Sequence, residues 1–289
     1  MKKSLDYYYL KMETHHIEVP YYNNEKRRIR VLLPKDYDKE DWANYPVVYM
    51  HDGQNVFYSK ESYSGYSWKV IPTIKNTKNL PKLIIVGVDN SGKKRLDEYS
   101  PWVTDRHKNV QYASAGGDGF EYGEWLVNTV KPFIDSHYRT LPDAKNTITA
   151  GSSMGGIISA YLLSAYPDVF GRGGVFSLAS WFAERDFLRF IHHHPIPKNN
   201  RIYIQVGTNE GDPTDSQFLD GKMNQEYIDV TLRYYQTLLK TGLPMEQIWL
   251  RILADETHHE KYWADHFAEF LQFVFDDQIE KFNDSQYKP

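Results

Sequence analysis

Apolar and polar positions along the chain follow two different periods. Eight short runs rich in β-branched and aromatic residues, each closed by turn residues, read as strands: Glu13 to Val19, Arg27 to Leu33, Val47 to His51, Leu83 to Val88, Thr147 to Gly151, Gly174 to Leu178, Arg201 to Val206 and Ile248 to Leu253. The first two alternate, as strands with one wet face do. Leu83-Ile84-Ile85-Val86-Gly87-Val88 is instead apolar throughout, which predicts a central parallel strand covered on both sides. Further along, the period changes to that of a helix. Leu126, Val130, Phe133 and Ile134 form one stripe on a helix ending near His137, Ile157, Ile158, Tyr161 and Leu162 form another, and the pattern returns over Tyr227 to Leu239 and Tyr262 to Phe275. An antiparallel start followed by alternating strands and helices predicts the α/β class: a mixed, mostly parallel eight-stranded sheet with helices on both faces.

No internal repeat, low-complexity tract or linker divides the 289 residues, so a single domain over 1–289 is expected, with the polar stretch from Asp276 to Pro289 fraying. Hydrophobic residues make up 41% of the chain, enough for one large core, which sets aside the disordered and fibrous classes. The 34 basic and 38 acidic residues leave a net charge of −4 and no field to hold a polyanion, so nucleic acid is not an expected partner. No apolar run is long enough to span a bilayer, and Asp6, Lys11 and Glu13 interrupt the start before a signal-like core forms. The expectation is a cytoplasmic protein with no membrane partner; a homo-oligomer stays open. The absence of cysteine excludes disulfides, thiolate nucleophiles and thiolate-held metals.

Chemistry must then come from oxygen and nitrogen groups. Gly151-Ser152-Ser153-Met154-Gly155 fits G-x-S-x-G, and the strand Thr147 to Ala150 before it and the helix Ile157 to Ala165 after it supply the strand–turn–helix that such a nucleophile elbow requires. Gly151, Gly155 and Gly156 give the strained turn its room. Ser153 is the expected nucleophile. A serine hydroxyl needs a base to take its proton, and in elbow hydrolases the acid and then the His follow it in chain order. His258, His259 and His266 lie after the last strand, the first two in the loop from Ala254 to His259; His258 is preferred. The oxyanion needs two N–H donors. Met154, directly after the nucleophile, is one candidate, and Gln54, in the loop His51-Asp52-Gly53-Gln54-Asn55 after the third strand, is the other. For the acid, the carboxylates after the strand Arg201 to Val206 are Glu210, Asp212 and Asp215; Glu210 comes first and is favoured, with Asp215 next.

Taken together, these stretches resemble a known group. Val47 to Asn55, the segment from Gly87 to Trp102 with Arg95, Glu98, Tyr99 and Pro101, Tyr138-Arg139-Thr140, Gly151 to Gly156, Tyr166 to Gly171, Gly207-Thr208-Asn209-Glu210 and His258 to Trp263 stand in the order of the esterase D and enterochelin-esterase-like branch of the α/β-hydrolases, grouped with carbohydrate esterase family 1. The resemblance spans roughly Val31 to Phe275. It implies the α/β-hydrolase fold and ester hydrolysis through an acyl-enzyme, with no cofactor. It places the catalytic imidazole five residues before a Trp, which is His258 before Trp263, and the acid at Glu210. It implies that Arg95 ties down its loop through an internal ion pair. Relatives of this kind act on siderophore, feruloyl, acetyl or short-chain esters. Neither the N-terminal module of siderophore esterases nor a carbohydrate-binding module is expected, so a small-molecule ester, aryl or acylated sugar, is the expected substrate. An acyltransferase using the same acyl-enzyme is the alternative.

Other features carry less. Trp181 and Phe182 follow the strand after the elbow and so emerge at the carboxyl edge of the sheet, where they are candidates for the acyl pocket. Consecutive His192, His193 and His194 cannot all face one ion on a helix, and Asp212, Asp215 and Asp220 lack the spacing of a calcium loop; no metal is expected.

Overall fold

All eight predicted strands join one sheet. The computed structural model describes residues 11–77, 79–105, 114–211 and 223–286, with side chains as far as Asp277. Its elements are β1 (Lys11–Val19), β2 (Glu25–Leu33), β3 (Val47–Met50), α1 (Val70–Asn76), β4 (Ile84–Val88), α2 (Arg95–Glu98), α3 (Gly119–Trp125), α4 (Lys131–His137), β5 (Thr147–Ser152), α5 (Met154–Ala165), β6 (Arg172–Phe176), α6 (Glu184–His193), β7 (Arg201–Asn209), α7 (Met223–Lys240), β8 (Ile248–Thr257) and α8 (Glu260–Gln286). The sheet order is β1-β2-β4-β3-β5-β6-β7-β8. β1, β2 and β4 pair antiparallel; from β4 to β8 every neighbour is parallel.

This order decides where a site can form. β3 has β4 on one side and β5 on the other, so the loops leaving the carboxyl ends of β3 and β5 run apart and open a crevice between them. Those are the loops that carry Gln54 and Ser153.

Alternation along the central strands builds two cores. Val47 and Tyr49 point into a cluster with Ile157, Ile158 and Leu162 of α5 and Tyr227, Val230 and Tyr234 of α7. Val48 and Met50 point the other way, against Val70 of α1 and Phe267, Phe270, Leu271 and Val274 of α8. Helices therefore cover both faces, and β4 is buried along its whole length.

Several boundaries differ from the sequence reading by a few residues, and three of them have a steric or pairing reason. β6 starts two residues before Gly174, at Arg172. A Cβ on Gly173 would sit 2.5 Å from Leu163 Cδ1, and one on Gly174 would sit 2.8 Å from Phe270 Cε2, so glycine here admits a helix on each face and does not end the strand. β8 runs to Thr257, through Ala254-Asp255-Glu256, because a bulge opposite Gly207 and Asn209 keeps it paired with β7; the loop shortens to His258 and His259, which connect β8 to α8. The last helix continues to Gln286 past Asp276, and Arg172 binds Asp277 at 2.7 Å. Between α3 and α4 the chain forms a π segment over Leu126–Val130, just before Pro132, whose ring and missing N–H disturb the helical ladder there.

Candidate active site

Ser153 stands at the tip of the turn from β5 into α5 with φ 61° and ψ −122°, a conformation that costs a non-glycine residue about 1–3 kcal/mol. The surroundings hold it there. Its N–H donates to Phe176 O at 2.9 Å, and its carbonyl accepts from Gly156 N at 3.0 Å and Ala179 N at 3.3 Å. Gly151 is required, since a Cβ there would meet Gly155 O at 2.6 Å. The elbow is therefore stitched to the segment leaving β6, the strand beside β5.

That segment leads to a buried carboxylate and an imidazole. Ser153, Ser177, Glu210 and His258 each follow one of the adjacent parallel strands β5, β6, β7 and β8, so the sheet places all four along its carboxyl edge. Glu210 is fully buried. Its Oε1 accepts Ser177 Oγ–H at 2.6 Å and Gly207 N–H at 2.7 Å, and its Oε2 lies 2.7 Å from Nδ1 of His258. An ionised carboxylate only accepts, so Nδ1 carries the hydrogen and Nε2 of His258 is left as an acceptor. Gly207 lets this happen: a Cβ there would strike Glu256 O at 2.2 Å, so only glycine allows β8 to run close enough to deliver His258. His258 is packed between Tyr227, ring centroids 5.0 Å apart, and the edge of Trp263, at 5.1 Å and 88°.

On the other side of the crevice, Asp52 leaves β3 in the left-handed region, φ 54°, and turns the chain into the short helical turn Gly53–Asn55 that holds Gln54. Arg95 binds both Asp52 oxygens, at 2.7 and 2.8 Å, and Asn90 donates to Asp52 Oδ1 at 2.6 Å. This is the internal pair expected of Arg95. Burial raises the Asp52 pKa, but Arg95 and Asn90 outweigh it and hold the carboxyl below its ordinary value. A Cβ on Gly155 would lie 3.3 Å from Asp52 Oδ2, so the loop sits directly on the first turn of α5. The Gln54 side chain accepts Asn90 N–H at 3.2 Å. Gln54 lies in the short helical turn after Asp52, and Met154 is the first residue of α5, where a helix leaves its leading N–H groups without intrahelical partners.

The remaining candidates separate. Trp181 is buried with its ring 6.1 Å from Tyr227, which reaches His258, so it extends the aromatic wall of the site. Phe182 is buried against Gly116, and its carbonyl accepts Thr104 Oγ1 at 2.7 Å and Asp105 N at 3.2 Å, anchoring a neighbouring loop. His259 uses Nδ1 to accept Lys261 N–H at 3.0 Å at the start of α8. His266 pairs with Glu256 at 2.7 Å. His51 is buried between Tyr122 and Thr149, and burial pushes its pKa down to about 3, so it stays neutral. Asp212, Asp215 and Asp220 lie outside the described residues. Among the described residues no group of three His, Asp or Glu side chains can hold a metal ion, and no helix is long and apolar enough to cross a membrane. A cavity of about 460 Å³ lined by Leu33, Lys35, Ile74, Leu80 and Lys82 opens at the opposite, amino edge of the sheet, away from these groups. Ser177, Asn90 and Trp263's hydrogen bond are the parts that sequence reasoning missed; that Ser177 follows a strand end, as each of the other groups does, was the available signal.

Comparison with known proteins agrees with this geometry. Residues 22–274 match the family model described as "Putative esterase". An uncharacterized Bacillus subtilis (strain 168) protein, YbbA, is 26% identical over 254 residues, which cover 86% of this chain and 92% of that one. Among solved structures, an IroE-like serine hydrolase from Shewanella oneidensis superposes with a TM-score of 0.70 at 21% identity, covering 92% of this chain and 81% of its own. The enterobactin esterase from Shigella flexneri gives 0.66 at 16% identity; it is matched over 93% of this chain but only 60% of its own length.

Proposed function

The chain belongs to the esterase family and is a carboxylesterase-type hydrolase, and on that premise we propose that it cleaves small carboxylic esters through an acyl-enzyme formed on Ser153. Nε2 of His258 takes the Ser153 proton as Oγ attacks the ester carbonyl carbon. The carbonyl π electrons move onto oxygen, and the N–H groups of Met154 and Gln54 stabilise the oxyanion. Glu210 holds the ring with Nε2 toward the serine and stabilises the imidazolium. As the tetrahedral intermediate collapses, the C–O bond to the alcohol breaks and His258 returns the proton to the leaving oxygen. Water repeats the sequence and frees the acid.

The observation that carries this reading is the 2.7 Å bond between His258 and the fully buried Glu210, on the same carboxyl edge of the sheet as a serine in a strained elbow. The substrate class we favour is aryl or acylated-sugar esters, because an aromatic cluster of Trp181 and Tyr227 packs next to His258. Solved structures of this fold include a ferulic acid esterase and the enterobactin esterase in the presence of 2,3-dihydroxy-N-benzoyl-serine. The test is labelling with a fluorophosphonate followed by peptide mass mapping, then turnover on esters of graded acyl length, aryl esters and acetylated sugars. A label on the Ser153 peptide that Ser153→Ala abolishes supports the acyl-enzyme; labelling that survives the change refutes it. Product analysis with added alcohols separates hydrolysis from acyl transfer.

A further inference from the structure

Only one oxygen of Glu210 faces His258, and the other is held by groups that the reaction itself does not use. The terminal torsion of a Glu side chain is broad and nearly two-fold, so the covalent structure alone does not decide which way the carboxylate plane points. Two donors on Oε1, Ser177 Oγ–H at 2.6 Å and Gly207 N–H at 2.7 Å, do decide it. Ser177 has no exposed surface and stands at φ 44°, a strained position for any residue with a Cβ. Its oxygen accepts the indole Nε1–H of Trp263 at 2.8 Å. Because an indole N–H only donates, the single hydroxyl hydrogen of Ser177 is left to point at Glu210. Trp263 is itself buried, packed against Trp68 at 5.8 Å, and presents its ring to His258 at 5.1 Å. One side chain thus touches the base directly and the carboxylate through a single serine.

We propose that Ser177 and Trp263 are positioning residues of the ester-cleaving site, which together fix the carboxylate plane of Glu210 and the ring plane of His258. This rests on the roles given above to Ser153, His258 and Glu210. Neither residue touches substrate. Removing the hydroxyl of Ser177 leaves Oε1 with one donor and the Trp263 N–H with no acceptor, so the carboxylate plane is free to turn away from the His258 ring.

The test uses p-nitrophenyl acetate with the full chain and two variants chosen to keep the fold. Ser177→Gly removes the hydroxyl while relieving the left-handed backbone, and Trp263→Phe keeps a ring while removing the N–H. Each is expected to lower kcat about ten- to a hundredfold, the usual loss when a partner that orients a functional side chain is removed. KM should stay within about twofold. The low-field proton resonance of His258 Nδ1–H should shift or broaden in both variants, while their far-ultraviolet circular dichroism stays native. Unchanged kcat in both variants, with Glu210→Gln strongly impaired, overturns the proposal and leaves the Ser153–His258–Glu210 reading standing. A raised KM at unchanged kcat overturns it as well, by assigning the two residues to substrate binding. Wild-type turnover in Glu210→Gln refutes the reading beneath it, and the proposal falls with it.

Discussion

Arg95 grips Asp52 as a fork, Nε on Oδ1 at 2.7 Å and Nη2 on Oδ2 at 2.8 Å. Asp52 is 4% exposed and sits at the left-handed turn that sends the chain toward Gln54, so this pair sets both the charge balance and the course of the loop. Arg95→Ala strands a buried carboxylate and should cost about 3–5 kcal/mol of stability. Turnover should fall with it, because the Gln54 N–H loses its place. Arg95→Lys restores the charge without the fork and should recover only part of either. Urea unfolding of the three proteins checks this; an unchanged midpoint in Arg95→Ala would show that the pair contributes nothing.

The two adjacent histidines should differ sharply. His258 faces Glu210, whereas His259 accepts Lys261 N–H at the start of α8. His258→Ala is expected to lose about 10⁴-fold or more in kcat, by the behaviour of serine relays. His259→Ala should lose about 0.5–2 kcal/mol of stability, as a missing helix cap does, and little turnover. Steady-state kinetics on one ester decides the matter, and the opposite ranking refutes the assignment.

Glu210→Gln keeps the volume and can still accept Ser177 and Gly207 through its amide oxygen. It then offers an NH₂ to Nδ1, which favours the wrong tautomer of His258. A kcat loss of about 10⁴-fold is expected, with near-native stability. Circular dichroism confirms folding; turnover within a fewfold of wild type would remove Glu210 from the relay.

The pH dependence of stability has a definite sign at His51. Burial puts its folded pKa at about 3, below the ordinary 6.5. Between those values the unfolded chain binds a proton that the folded protein refuses, so stability rises with pH through this window, by at most about 1.4 kcal/mol per pH unit, and is level above it. Replacing His51 by Asn removes the titrating ring. The drop in urea midpoint between pH 7 and pH 4.5 should therefore be smaller in His51→Asn; an equal drop would assign acid lability to other groups.

Local pattern carried most of the fold to the reader and little of the wiring at the site. Continuous apolar residues from Leu83 to Val88 and the alternation of Arg27 to Leu33 found their strands within a residue or two, because side-chain period and burial coincide there. Gly173 and Gly174 misplaced the start of β6, since from sequence a glycine that admits a helix looks the same as one that ends a strand. The extension of β8 through Asp255 and Glu256 depends on a bulge in β8 opposite Gly207 and Asn209 of β7, residues distant in sequence. The motif around Ser153 was legible because strand, turn and helix are contiguous. The bond from Trp263 to Ser177 links residues 86 positions apart and leaves no periodic trace.

The strand order also bears on how the molecule fails. Ser153 follows β5, which has a strand on either side, but His258 follows β8, the last strand of the sheet, with ladder bonds along one edge only. A unit secured on one side opens at a lower free energy than the centre of the sheet. Amide hydrogens of β8 should therefore exchange with solvent before those of β5, and inactivation in mild denaturant should run ahead of the loss of far-ultraviolet ellipticity. The protein then has an operating limit set by its outermost strand, while the serine stays in place on a sheet that has not yet come apart.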